Sequence, residues 1–366
     1  MIRLVDFSRQ NKLLKKKLIR NISRVIDNQK YILGPDVDLF EREFALYCRT
    51  SHAIGVASGS DALLLSLRAL GVGKGDEVIT VANTFISTVL PILHVGAKPI
   101  LVDADQNTLS MDISLIEKHI TPRTRAIIPV HLFGLPVDMD PLIRLAKKYK
   151  LDVIEDACQA HGALYKGQVV GSIGNVGCFS FYPSKNLGAF GDAGAVITNK
   201  KRIADTIRIL QNVGQKEKNI HEVIGYNSKL DTIQAAILRT KLPYLPGWIQ
   251  RRRAIASYYT SLLKDLPIVL PNEPLYAQAS YHLYVIRTRY RDQLKQYLQN
   301  NNITCGIHFP IPIHLQPCMR DLGYKKGDFP VSEESAQEVL SLPLYPELTR
   351  KEVRTVILHI RKFFTS

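Results

Sequence analysis

The sequence predicts an α/β protein with a large unit built on a mostly parallel sheet and a smaller C-terminal α+β unit. Three observations carry this. Short β-branched apolar runs alternate with helix-patterned stretches through about residue 200, as in strands covered on both faces. A strand, a glycine turn and a helix succeed one another over residues 53–70. The alternation then breaks at Pro243-Tyr244-Leu245-Pro246-Gly247, which places the boundary between units at 1–245 and 246–366.

In chain order, residues 13–26 carry Leu14, Leu18, Ile22, Val25 and Ile26 at helical spacing. Leu33-Gly34-Pro35 interrupts, and Asp36 is a candidate cap for a helix over 38–47. Residues 53–57 read as a strand, and 62–70 as an apolar helix after Ser58-Gly59-Ser60-Asp61. That turn serves either as an anion cradle or as an ordinary start capped by Ser60 or Asp61. Strands are expected at 77–81, 98–102, 126–130 and 151–154, and helices at 83–93, 114–119 and 139–149. A strand pair over 191–198 and helices over 202–210 and 230–242 complete the large unit. The small unit reads as helices over 248–263, 292–300 and 351–364 and a strand over 281–287.

The chain has 366 residues, 46% hydrophobic and 22% charged, the composition of a soluble globular protein. No apolar run is long enough for a membrane span, and the N-terminus shows no signal-peptide h-region. Five cysteines without CxxC spacing argue against a metal site or disulfide framework and fit a reducing cytoplasm. The formal charge is +15, part of it in Arg9, Lys12, Lys15, Lys16, Lys17 and Arg20. It reads as the solvated face of a helix, or as attraction for an anionic nucleotide substrate. No nucleic-acid module accompanies it.

The chemistry centres on residues 179–195, FSFYPSKNLGAFGDAGA. One lysine, Lys185, stands between aromatics and a glycine-rich turn. Dehydration there favours a neutral amine, and a neutral amine attacks carbonyls to form a Schiff base. A second stretch, VIEDACQAHGA, puts Asp156 just after an apolar strand, where open α/β sheets bind ligands. Pyridoxal phosphate needs a lysine for its imine, a carboxylate for its protonated ring nitrogen and an anion cradle. Lys185, Asp156 and the Gly59–Ser60 turn can supply all three.

The chain resembles the DegT/DnrJ/EryC1/StrS sugar-nucleotide aminotransferases over nearly its whole length. The resemblance runs through ASGSDALLLSLRALGVGKGDEVIT, ANTFISTV, PVHLFG, EDACQAHGA, FSFYPSKNLGAFGDAGAV, GYNSKLDTIQAAIL, HFPIPIHLQP and LSLPLYPELT. It implies pyridoxal-phosphate fold type I, the aspartate aminotransferase fold. It also implies that Lys185 forms the Schiff base, that Asp156 pairs with the ring nitrogen, and that Gln159 bonds the phenolic oxygen. Phe85 would stack on the ring, and Gly59, Ser60 and Ser180 would hold the phosphate. Asn227 would reach the phosphate of a second subunit, which implies an obligate homodimer with shared sites. Tyr182, Tyr226, Lys229, His161, His308 and His314 are candidate substrate contacts. Packing is the first reading for the two tyrosines, and a structural hydrogen bond for His161. Two positions depart from the family pattern: Lys229 replaces an arginine and loses its bidentate fork, and Cys158 replaces an alanine.

The resemblance further implies transamination from L-glutamate to a nucleotide-linked keto sugar. Tyr226 and the HFPIPIHLQP loop are most like the enzymes that aminate C3 of a dTDP-3-keto-6-deoxyhexose. The alternatives are amination at C4 of a dTDP- or UDP-sugar, or a non-catalytic regulatory or nucleic-acid-binding protein of the same fold. A dehydratase of the family would carry histidine in place of Lys185.

Overall fold

The computed structural model describes residues 1–365; residue 366, the last of the expected C-terminal unit, lies outside them. Seven strands form the central sheet: β1 (His52–Val56), β2 (Glu77–Val81), β3 (Lys98–Val102), β4 (Thr124–Ile128), β5 (Asp152–Asp156), β6 (Val176–Ser180) and β7 (Gly194–Thr198). Their spatial order is β1-β7-β6-β5-β4-β2-β3. Only β7 runs against its neighbours, β1 and β6; the other pairings are parallel. The expected mostly parallel sheet is therefore present. Its strands are buried along nearly their whole length, which is why they read as continuous apolar runs instead of alternating ones.

Helices cover both faces. On one side α2 (Pro35–Cys48), α4 (Met139–Tyr149) and α6 (Thr232–Lys241) join a cluster around Phe40, Phe44, Phe179 and Phe181. On the other, α3 (Gly59–Ala69) and α5 (Lys201–Gln211) bury Leu63, Leu65, Leu67 and Ile207 against β1, β5 and β7. The long first helix, α1 (Phe7–Asn28), buries Leu14 and Leu18 against Ile237 of α6 and leaves Leu13, Ile19 and Ile26 exposed. Ile26 is thus off the buried face expected for it. Some of the N-terminal charge is locally paired: Arg9 makes a two-pronged bond to Glu352, and Lys17 lies over the Tyr244 ring.

A separate hydrophobic cluster gathers α7 (Leu245–Leu263), α8 (Arg291–Asn300), α10 (Arg350–Thr365) and a strand pair, β8 (Tyr284–Arg287) with β9 (Val339–Leu342). The ninth helix, α9 (Pro330–Glu338), leads into β9.

Local differences from the sequence reading have identifiable causes. The helix expected over 83–93 is a 3-10 turn, Ile86–Thr88, and one α-turn, Leu90–His94. Pro91 has no N–H to continue a helix, and Thr88 is drawn off to Asp156 at 2.8 Å. The 114–119 segment is likewise two 3-10 turns. Asp36 does not cap α2. Gly34 is the cap, Pro35 opens the helix, and Asp36 is a buried partner of Arg24 and Arg239. Ser58, not Ser60 or Asp61, caps α3 by accepting from the Asp61 N–H at 3.1 Å. The 191–198 stretch holds one strand, Gly194–Thr198, inserted between β1 and β6.

Candidate active site

The carboxyl ends of the parallel strands converge on a cavity of about 380 Å³. That is where open α/β sheets place ligands. β5 ends in Asp156, β6 in Ser180, and β1 leads through Ser58 into the start of α3. Gly59, Ser60, Phe85, Asp156, Gln159, Ser180, Tyr182, Lys185 and His308 all line it. The sequence expectation therefore gathers in one place from segments far apart in the chain.

Asp156 is buried and held on several sides. Its Oδ2 accepts from Thr88 Oγ1 at 2.8 Å and its Oδ1 from the Cys158 N–H at 3.2 Å. Thr88 is itself bonded to Thr84 at 2.8 Å. Beside it, Glu155 is fully buried and accepts from the N–H groups of Gly171, Ile173 and Gly174 at 2.6–2.7 Å, with His131 Nε2 at 3.0 Å. The Val137 N–H donates to His131 Nδ1 at 3.1 Å. His131 therefore carries its proton on Nε2 and donates it to Glu155. This couple fixes the strand end and the adjoining loop, whose Phe133 N–H donates to Gln159 Oε1 at 2.8 Å. Gln159 is left with its amide donors for a ligand.

Lys185 sits in a tight turn, its N–H bonded to the Tyr182 carbonyl at 2.8 Å. Its ammonium has no hydrogen bond or ion pair among the described residues. Desolvation pushes its pKa down, against the opposing pull of Cys158 and Asp156. The sequence-based argument for a readily neutralised amine holds for this geometry. Among the described residues it is the only Lys or Arg lining the cavity.

The Gly59 and Ser60 N–H groups open α3 with no intramolecular acceptor. A Cβ at Gly59 would stand 2.6 Å from Ser180 Cβ and 2.8 Å from Cys158 Sγ. The position therefore needs glycine for close approach, and Cys158 contributes packing. Two free amides at a helix start suit a phosphate. A buried carboxylate, a free amide donor and an unpaired lysine in the same cavity complete a donor set that fits pyridoxal phosphate.

Other candidates fall outside the cavity. His161 is fully buried behind it against Phe179 and Phe181, with neither ring nitrogen hydrogen-bonded. Burial, then the nearby Lys185 charge, pushes it down to about 3, with the Ser180 backbone opposing. His314 is buried against Phe329 and bonded to Glu333 at 2.9 Å. Tyr226 accepts from Arg68 Nε at 3.0 Å. Asn227 is exposed, Lys229 is half-buried, and the two are bonded to each other at 2.8 Å. Between them, Ser228 bonds Asp61 at 2.9 Å and so ties this motif to the start of α3. Thr88, Ser228, His131, Glu155 and His282 carry no signal in the sequence reading. Glu155 and Ser228 adjoin candidates by sequence, but their roles depend on distant groups: N–H groups of a later loop for Glu155 and Asp61 for Ser228.

Known proteins resemble this chain in sequence and fold. The chain is 47% identical over 339 residues to the erythromycin biosynthesis sensory transduction protein EryC1 of Saccharopolyspora erythraea, covering 92% of this chain and 93% of that one. It is 45% identical over 363 residues to dTDP-3-amino-3,6-dideoxy-alpha-D-galactopyranose transaminase of Aneurinibacillus thermoaerophilus, covering 99% of each. The crystal structure of Streptomyces venezuelae DesV, in complex with a ketimine intermediate, superposes with a TM-score of 0.98 at 44% identity, covering 100% of this chain and 99% of that one. A UDP-sugar relative, the UDP-N-acetyl-3-dehydro-alpha-D-glucosamine 3-aminotransferase of Acidithiobacillus ferrooxidans, is 43% identical, covering 99% of this chain and 97% of that one. A Streptococcus pneumoniae sugar aminotransferase, solved in its PLP form, matches with a TM-score of 0.90 at 28% identity over 96% of this chain and 95% of that one. The fold is thus that of the type I pyridoxal-phosphate aminotransferases, and pyridoxal phosphate is the cofactor. The family model for the DegT/DnrJ/EryC1/StrS aminotransferases matches residues 12–361, and the chain belongs to that family.

Proposed function

We propose that this protein transfers the amino group of L-glutamate to C3 of a dTDP-linked 3-keto-6-deoxyhexose. The observation carrying the chemistry is the desolvated, unpaired Lys185 in one cavity with Asp156. The dTDP group and C3 position follow the A. thermoaerophilus relative; Tyr226 lies outside the cavity of its own chain, bonded to Arg68.

When bound, pyridoxal phosphate supplies an aldehyde for imine formation and an electron-accepting ring. The residues then divide the work. Lys185 carries the cofactor covalently and, as a free amine, moves a proton at the reacting carbon. Asp156, fixed by Thr88 and the Cys158 amide, keeps a proton on the ring nitrogen. Gln159 donates to the phenolic oxygen, and Gly59, Ser60 and Ser180 donate to the phosphate. Phe85 covers the ring from the cavity mouth, against Phe309 at 5.4 Å. Tyr182 and His308 face the sugar.

The functional unit in this reading is a homodimer working in the cytoplasm. A cavity with a single cation is a poor match for a diphosphate and a dicarboxylate. The Asn227 side chain, exposed and among the described residues bonded only to Lys229, is placed to complete a partner's site. Exposed apolar side chains support such a contact: Leu13 and Ile19 on α1, Ile32, Phe190, and Ile224 at 96% exposure. Among the described residues no helix is long and apolar enough to cross a membrane.

The test is a substrate panel on cofactor-loaded protein. Glutamate is supplied with dTDP-3-keto-6-deoxyhexose, dTDP-4-keto-6-deoxyhexose or a UDP-4-keto sugar, and products are read by mass and NMR. Amination of the 3-keto sugar is expected. Amination of a 4-keto sugar alone, or of none, overturns the proposal.

A further inference from the structure

We propose that His282 is a further substrate-contacting residue, whose Nε2–H donates a hydrogen bond to an uncharged oxygen of the sugar, hydroxyl or ketone. The inference rests on the sugar-nucleotide reading above and adds a residue to the same site.

His282 lines the cavity although it is only 8% exposed. Its ring makes no hydrogen bond among the described residues, and its Nδ1 is sealed from solvent without a partner. Burial, reinforced by the charges of Lys185 and Arg252, holds the imidazole neutral. A neutral imidazole has one N–H. On Nδ1 it would be a stranded buried donor, at a cost of about 1–3 kcal/mol. A bare ring nitrogen is the milder of the two buried orphans, which assigns the proton to Nε2, the nitrogen not sealed from solvent.

The backbone around His282 is fixed. Arg252 Nη1 donates to the carbonyls of Tyr281, His282 and Leu344 at 3.1–3.3 Å. The Ser280 N–H donates to the Gly134 carbonyl at 2.9 Å, and Asn186 Nδ2 to the Ser280 carbonyl at 3.1 Å. A Cβ on Gly134 would come within 2.5 Å of Ser280 Oγ and 3.0 Å of the His282 nitrogen. The segment is thus clamped between the loop that holds Gln159 and the turn that carries Lys185. A donor held this way is pre-positioned for a ligand. The polar groups proposed to hold the cofactor are Lys185, Asp156, Gln159, Ser180 and the start of α3, which leaves His282 for the substrate. Its lack of charge suits a hydroxyl or ketone better than a carboxylate, which binds cations more strongly.

The experiment uses the loaded enzyme and the variants His282→Ala and His282→Gln, the latter keeping an amide donor. Each half-reaction is followed separately: glutamate by loss of the visible cofactor band, the keto sugar by its return. Calorimetry adds Kd for thymidine diphosphate and for a dTDP-6-deoxyhexose. For His282→Ala the expected result is a glutamate half-reaction within about threefold of the parent. The sugar half-reaction falls about tenfold in kcat/KM, near the worth of one hydrogen bond. Kd rises for the sugar nucleotide and not for thymidine diphosphate, and His282→Gln recovers part of the loss. Equal loss in both half-reactions, or none in either, overturns the assignment. Failure of the parent enzyme to aminate any keto sugar instead overturns the function proposed above.

Discussion

The two walls of the cavity are built by opposite means. The sheet wall carries Asp156, Gln159, Ser180 and Lys185 on strand ends and turns, and the side chains of Asp156 and Gln159 are held there by the Thr88 hydroxyl and by the backbone N–H groups of Cys158 and Phe133. Glu155 alone gathers three backbone N–H groups and a histidine. The opposite wall carries His282 and His308 on segments clamped mainly through backbone carbonyls. His308 adds one side-chain bond, to Ser341 at 2.9 Å. The sheet wall therefore presents charged groups and the far wall uncharged donors. In the proposed reading, the first wall handles the cofactor's charges and the second reads the substrate.

Removing the reacting group of the sheet wall should have the largest effect. Lys185→Ala is expected to cost roughly 10⁴-fold or more in turnover, losing both covalent attachment and proton transfer; a steady-state assay with glutamate checks it. Asp156→Asn should leave the fold intact and lower kcat roughly 10²-fold, from loss of about 3 kcal/mol of buried charge pairing; stopped-flow measurement of the glutamate half-reaction reads this directly.

Glu155→Gln tests whether the sheet wall is organised by its carboxylate. A carboxamide turns an NH₂ toward groups that are themselves donors, so unfolding free energy should drop by about 3 kcal/mol in urea titration. A drop below about 1 kcal/mol would erase the contrast between the walls.

His161→Phe is the smallest change and is read through pH. The folded protein binds His161's proton only near pH 3, whereas the unfolded chain binds it near pH 6.5. Between these values the unfolded state holds more protons, so stability falls as pH drops below about 6.5. The variant should flatten this acid-side decline, by about 3 kcal/mol at pH 4, in melts recorded from pH 4 to 8.

How much of this was legible in the sequence follows from how local each feature is. The β2 and β3 strands and the 139–149 helix are found at the bounds expected from the sequence. Their patterns are uninterrupted and their ends are marked by turns. Lys185, Asp156 and Gly59 were legible because each sits in a short motif of strand end, turn and small residues. His282 was not: its place depends on Arg252, Asn186 and Gly134, which converge on it only through the fold. His161 and His314 share motifs with cavity residues yet point into packing. A motif fixes neighbours along the chain and not the direction a side chain takes. The 83–93 segment failed for a third reason, since Pro91 and the Thr88–Asp156 bond outweigh its apolar spacing.

The central claim is that Lys185 carries the cofactor. The most direct measurement is borohydride reduction of the loaded protein, followed by digestion and mass mapping of the modified peptide. The account predicts a single reduced pyridoxyl adduct, on Lys185. An adduct confined to another lysine, or none on yellow protein, would contradict it.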